Sequence, residues 1–209
     1  MASCFRGITP KNTKSRLYRR FCIWYDMCMQ LIMIRHGKTD KNGKGILNGV
    51  RLNEPLDAKS IELVRDLGQR LPKNIVKIYA GELLRVKQTA DLINETLNLP
   101  ISYDSDLNER DYGDCSGLTW EQAEAKYPGH TLEKDFALQF DYTDVGGENV
   151  EHFTRRVVEC LERIKLENVG NDQPVLMVTS EGVIRVLYFY CTGVLLGNIF
   201  NLEVRTVEI

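Results

Sequence analysis

The chain has 209 residues, 43% of them hydrophobic and 27% charged, with 16 Gly and 6 Pro. That length can bury a substantial core in one domain, and that composition excludes collagen-like, low-complexity and wholly disordered chains. A formal net charge of −2, from 27 basic and 29 acidic side chains, excludes an overall basic field for holding nucleic acid.

The balance hides an asymmetry. Residues 1–28 carry six basic side chains (Arg6, Lys11, Lys14, Arg16, Arg19 and Arg20) against the single acid Asp26, or +5, leaving 21 basic and 28 acidic residues, or −7, for residues 29–209. Asp26 interrupts the apolar patch Phe21–Tyr25 well short of the roughly 18 residues that a membrane-spanning helix needs, so no membrane association is expected. An organelle-targeting sequence shares this basic, acid-poor character, but two serines in 28 residues are thin support for one. The expectation is a poorly ordered extension over residues 1–28, followed by one domain over residues 29–209. Cys4, Cys22, Cys28, Cys115, Cys160 and Cys191 show no C-x-x-C spacing and no histidines arranged beside them as metal ligands. They read as reduced thiols of a cytoplasmic protein without a metal site, with Cys160 and Cys191 acting as small hydrophobes in apolar patterns.

From Met29 onward, short apolar runs alternate with amphipathic stretches. Leu31–Ile34 and Val175–Val178 read as buried strands, Ile75–Tyr79 as a third and Leu202–Val207 as a last one. Between the first and third, Ile61, Val64, Leu67 and Leu71 repeat at helical spacing until Pro72 stops them. Leu83, Val86, Ala90, Ile93 and Leu97 share one face of a second helix. Thr119 with Gln122 three residues later has the form of a capping box, opening a short helix that ends at Pro128-Gly129. Val150, Phe153, Val157, Leu161 and Ile164 mark a longer helix, and Val183–Tyr190 a largely buried one ending near Gly193. Residues 129–149 are the least patterned part of the body and are compatible with helix, loop or lid. Strands alternating with helices predict a single-domain α/β fold with a mainly parallel central sheet and helices on both faces.

In open α/β sheets ligands collect at the carboxyl ends of strands. The first strand ends in Arg35-His36-Gly37 and a loop containing Gly43, Gly45 and Gly49, with Thr39 and Asn42; the strand at Val175 ends in Thr179-Ser180-Glu181-Gly182. Gly37-Lys38-Thr39 is not a nucleotide-binding P-loop, because Ile32 stands where that motif needs its first glycine. A histidine beside an arginine, with backbone N–H groups and Asn42 nearby, suits an anionic phosphate. Taken alone, His36 is equally well read as a structural or surface residue.

Arg35-His36-Gly37 with Thr39 and Asn42 resembles the opening motif of the histidine phosphatase superfamily, which includes phosphoglycerate mutases and many small-molecule phosphatases. Four further segments continue the resemblance in order, covering roughly Met29 to Leu195: Leu84-Arg85 with Gln88-Thr89-Ala90; Leu107 to Gly113; Gly147-Glu148; and Gly182-Val183-Ile184-Arg185. The resemblance implies a phosphoglycerate mutase-like fold and a neutral histidine, His36, that attacks phosphorus to form phosphohistidine. It implies that Arg35 and Arg85 hold the phosphoryl oxygens and that Glu109 protonates the leaving oxygen and then activates water, a role calling for a pKa raised toward neutrality. Without the motif, Arg85 reads as a surface partner of Glu82, and Glu109 as a solvated loop acid. No metal or organic cofactor is implied, since arginine and histidine perform the charge stabilisation.

The chain departs from the family at one position. The family carries a second histidine five residues before the arginine of its last motif, and counting back from Arg185 gives Ser180. Registering Glu181 there instead requires a one-residue shift against Gly182 to Arg185. A serine hydroxyl is a shorter, neutral donor than an imidazolium, and losing one preorganised donor typically costs about 10²–10³-fold in rate. The expected function is therefore hydrolysis of a small phosphorylated metabolite, impaired at Ser180, with His36, Glu109, Arg35, Arg85 and Ser180 as catalytic residues and Asn42 as an added substrate ligand. The alternatives are a cofactor-dependent phosphoglycerate mutase and a non-catalytic phosphate-ester binder. Neither nucleic acid nor membrane is an expected partner, and the oligomeric state is left open.

Overall fold

The computed structural model describes residues 29–209; the expectation for residues 1–28 lies outside the described residues. Among the described residues, five strands, β1 (Gln30–Arg35), β2 (Ile78–Ala80), β3 (Ile101–Tyr103), β4 (Val175–Thr179) and β5 (Val204–Glu208), form one sheet in the order β3-β2-β4-β1-β5. β1 and β4 are central and parallel, with Leu31 opposite Val175 and Arg35 opposite Thr179. β2 pairs in parallel with both β4 and β3, whereas β5 runs antiparallel along β1 with Ile34 opposite Val204. The sheet is thus mainly parallel, as the alternation of elements predicts.

Among the described residues, six α-helices accompany it: α1 (Ala58–Arg70), α2 (Leu84–Leu97), α3 (Trp120–Lys126), α4 (Leu132–Phe136), α5 (Val150–Glu167) and α6 (Glu181–Thr192). β1 shows why both faces are covered. Ile32 and Ile34 join Val64 and Leu67 of α1 and Val86 and Ile93 of α2 in one core. Leu31 and Met33 join Phe153 and Leu161 of α5 and Val183 and Leu187 of α6 in the other. Successive strand residues point to opposite faces, so a strand buried on both sides must be apolar throughout.

The helix boundaries follow local chemistry. The Asp57 side chain accepts from Ser60 N at 2.7 Å and opens α1. Thr119 and Gln122 form both bonds of the expected capping box. Gly193 closes α6 in the left-handed conformation, at φ 72°.

Two strand expectations need correction. The third strand is Ile78–Ala80 rather than Ile75–Tyr79, because Ile75 and Val76 approach the sheet before pairing begins on both sides. The edge strand β3 has no signature in the sequence: three residues, Ile-Ser-Tyr, none of them fully buried, are too few to show a period. In the unpatterned region 129–149, the chain forms α4 and a 3-10 turn over Thr143–Val145. Among the described residues, no helix is long and apolar enough to cross a membrane. Cys115 and Cys160 are buried free thiols, and Cys191 is a half-buried one.

Candidate active site

The two central strands deliver their loops to the same end of the sheet. At that junction His36 N donates to the Thr179 carbonyl at 2.9 Å, joining the end of β1 to the end of β4. A cavity of about 350 Å³ opens over it, and Arg35, His36, Asn42, Arg85 and Glu109 all line it. Five of the six residues singled out from the sequence are therefore together; Ser180 is not part of the lining.

His36 is 2% exposed, and both of its ring nitrogens are engaged. Nδ1 lies 2.7 Å from the Gly37 carbonyl, and Nε2 lies 3.1 Å from Arg85 Nε. A guanidinium can only donate and a carbonyl can only accept, so Nδ1 carries the proton and Nε2 presents its lone pair. Burial, followed by the charges of Arg85 and Arg35, pushes the His36 pKa well below its ordinary value. The ring is held as a neutral imidazole with one defined basic nitrogen.

Arg85, in the first turn of α2, is 1% exposed and does not pair with Glu82 on the surface. Besides Nε, its two terminal nitrogens donate to the Leu52 and Gly49 carbonyls at 2.9 and 2.8 Å. Thr89, one turn further along, accepts from Gly37 N at 3.0 Å and so ties α2 to the histidine loop. The loop itself is pinned by Asn48, whose Nδ2 donates to Thr39 Oγ1 at 3.2 Å. The Oδ1 atoms of both Asn42 and Asn48 are buried without a partner, and both residues line the cavity.

Glu109 is 7% exposed rather than solvated. Its Oε1 accepts from Arg110 N at 2.9 Å and from Arg110 Nε at 3.2 Å, and its Oε2 from Gly182 N at 3.0 Å. Burial raises the carboxyl pKa, but the Arg110 charge and the two backbone N–H groups outweigh it and bring the pKa down to about 2. The free site thus holds Glu109 ionised, opposite to the upward shift expected of a general acid. The segment is fixed from behind by Arg156 of α5, which donates to the carbonyls of Asp106, Asn108 and Glu109 at 2.7, 3.0 and 3.2 Å. Glu148 holds Arg156 at 2.9 Å and accepts from Asp111 N at 3.0 Å, which accounts physically for the Gly147-Glu148 segment.

Ser180 is the N-cap residue of α6, yet its side chain makes no capping bond. The residue is 1% exposed, and its Oγ is buried without a partner. The next side chain occupies the cavity wall instead. Glu181 Oε2 pairs with Arg35 at 2.7 Å, and Oε1 pairs with Arg185 at 2.6 Å.

Three further charged residues of the site, Arg185 of the last motif among them, have no assigned role in the sequence reading. Arg110 and Arg185, 1% and 0% exposed, both contact Asp135, which is 2% exposed on α4. The Arg110 guanidinium also lies 4.4 Å above the Phe140 ring, and that of Arg185 4.4 Å above the Phe136 ring. Arg110 reads as one more polar residue beside Glu109, and Asp135 lies in the segment without a pattern; only the fold makes them neighbours. Beyond the charges, Ile46, Trp120, Leu132 and Phe136 give the cavity an apolar wall. Among the described residues, no three His, Cys, Asp or Glu side chains converge as metal ligands.

Comparison with known proteins follows the same outline. The profile of the histidine phosphatase superfamily (branch 1) matches residues 31–209. A 2,3-bisphosphoglycerate-dependent phosphoglycerate mutase of Methylobacterium radiotolerans is 28% identical over 182 residues, covering 84% of this chain and 85% of that protein. A metal-independent phosphoserine phosphatase of Arabidopsis thaliana is 29% identical over 185 residues, covering 86% and 76%. The structure of a mycobacterial glucosyl-3-phosphoglycerate phosphatase with VO3 superposes with a TM-score of 0.70 at 25% identity, covering 86% of this chain and 97% of that one. With the profile spanning nearly all of the described residues and the strand-end loops converging on one buried histidine, the chain belongs to the histidine phosphatase superfamily.

Proposed function

We propose that this protein hydrolyses a small phosphate monoester through a phosphohistidine formed on His36 Nε2, working in the cytoplasm without a metal. The observation that carries this reading is the fixed tautomer of His36: a buried neutral ring whose Nε2 lone pair faces a cavity edged by Arg35 and Arg85. Nε2 attacks phosphorus and the ester P–O bond breaks, while the arginines stabilise the phosphoryl oxygens. Glu109 is ionised in the free site, and a bound phosphate ester opposes its charge. That like-charge effect raises the carboxyl pKa and lets it carry the proton delivered to the leaving oxygen. Water, deprotonated by Glu109, then attacks the phosphohistidine and releases phosphate, restoring the neutral imidazole.

A second reading, a pocket that binds phosphate esters without turnover, is favoured by Ser180 together with the pairing of Glu181 on Arg35. Assaying an aryl phosphate with the parent, His36→Ala and Ser180→His decides between them. Measurable turnover in the parent, abolished in His36→Ala and raised by about 10²–10³-fold in Ser180→His, is the expected result. A parent and a Ser180→His variant that are both silent on a broad panel of phosphate esters would overturn hydrolysis in favour of binding alone.

A further inference from the structure

The cavity contains its own anion. Arg35 Nη1 is shared between the Ile199 carbonyl and Glu181 Oε2, and the side chains of Arg35 and Glu181 are only 15% and 17% exposed. Glu181 Oε1 is held in turn by Arg185 at 2.6 Å and by Ile199 N at 3.3 Å, so the carboxylate is fixed in place. Arg35 Nε, on the same guanidinium, is buried with no partner. The other arginine at His36 has all three of its nitrogens engaged, by His36, Leu52 and Gly49. Four arginines line the cavity, but Glu109, Asp135 and Glu181 line it as well, so the charged side chains of the lining nearly cancel, leaving a formal excess of one positive charge.

We propose that Glu181 is a positioning residue that competes with the substrate phosphate for Arg35, setting a weak affinity for free phosphate and requiring the arginine to exchange partners when an ester binds. This rests on the phosphate-site reading above, though not on turnover. The physical reason is a like charge held against the guanidinium that a phosphate dianion must approach. Each step of binding either displaces the carboxylate or places a second anion beside it. The unpartnered Arg35 Nε is the donor left over for such an exchange.

The test is calorimetric titration of the full chain with inorganic phosphate, comparing the parent with Glu181→Gln, Glu181→Asp and Glu181→Ala. The glutamine keeps an oxygen for Arg185 and Ile199 N while removing the charge, and it is expected to bind phosphate about 10–50-fold more tightly than the parent. In steady-state assays the same change lowers KM for an aryl phosphate more than it alters kcat. Glu181→Asp, which keeps the charge, stays within a few-fold of the parent, whereas a purely packing role would make Asp and Gln behave alike. Glu181→Ala removes the charge without an amide and is expected to tighten binding if the glutamine variant does not fold. Unchanged or weaker phosphate binding in the folded uncharged variants overturns the proposal. Tighter binding in variants that show no turnover supports it while hydrolysis itself fails.

Discussion

Arg85 Nε donates to His36 Nε2 at 3.1 Å, so the lone pair that would attack phosphorus is held by one of the cations that would receive the phosphoryl oxygens. The pair is pre-aimed, and it also keeps the ring neutral. Any proton added to Nε2 would meet the Arg85 charge inside a buried site. On the proposed mechanism, the entry of an ester would exchange one acceptor for another at Arg85 and free Nε2 for attack.

A pH profile follows from this relationship. Histidine ordinarily titrates near about 6.5, but burial first, then Arg85 and Arg35, push His36 well below that value. Protonated His36 cannot act as a nucleophile, so activity is lost only as pH falls through the depressed folded pKa. The expected kcat/KM profile shows no acid limb near pH 6.5. A limb centred there, matched by an NMR titration of the His36 ring in the free protein and so distinct from the ester's own second ionisation near about 6, would show that the imidazole is not held neutral.

Glu109 supplies a stability prediction of definite sign. Its pKa is about 2 in the folded chain against 4.5 for an ordinary glutamate, so its contribution is complete above pH 4.5 and is lost as pH falls toward 2. A shift of that size corresponds to about 3 kcal/mol. Guanidinium unfolding at a series of acid pH values should show a steeper loss of stability in the parent than in Glu109→Gln. Identical slopes for the two would remove Glu109 from the acid response.

Much of this site was legible in the sequence because its members sit in segments with strong local signatures. Arg35 ends a largely apolar strand and His36 follows it, Arg85 opens a periodic helix, and of the six expected residues all but Ser180 line the same cavity. What could not be read is what depends on packing across the fold. The Glu109 pKa runs opposite to expectation because Arg110 folds back onto it and Gly182 N arrives from 73 residues away. Asp135 sits on a five-residue helix whose pattern is too short to detect, and it matters only because Arg110 and Arg185 converge on it. Ser180 was placed by counting, but the count could not show that its hydroxyl stays buried and unpartnered while Glu181 meets Arg35.

Gly182 provides a test of how tightly the acid end is built. Its N–H donates to Glu109, and a Cβ at this position would overlap both the Arg110 guanidinium and Glu109 Oε1. Gly182→Ala must therefore displace the carboxylate or the arginine, at a cost of about 1–3 kcal/mol, and should lower phosphatase activity together with the unfolding midpoint. Gly197→Ala is the control, because a Cβ there meets nothing within 4 Å. Equal behaviour of the two variants would show that the Glu109–Arg110–Gly182 contact is slack.

Asp135 is the residue on which the far wall of the cavity depends. It is 2% exposed between Arg110 and Arg185, themselves almost completely buried. Burial pushes its pKa up while the two arginines pull it down, and burial prevails, so the carboxylate is tolerated only because two guanidinium groups surround it. Asp135→Asn keeps the shape and removes the charge. Glu109 then remains for Arg110 and Glu181 for Arg185, but the charge between them is gone. Breaking a buried pair from one side costs about 3–5 kcal/mol, and because the groups are shielded from solvent ions, added salt should recover little of it. Chemical denaturation at low and high ionic strength measures both quantities. A loss under about 1 kcal/mol, of the size of an exposed pair, would mean that Asp135 is not the charge holding Arg110 and Arg185 together.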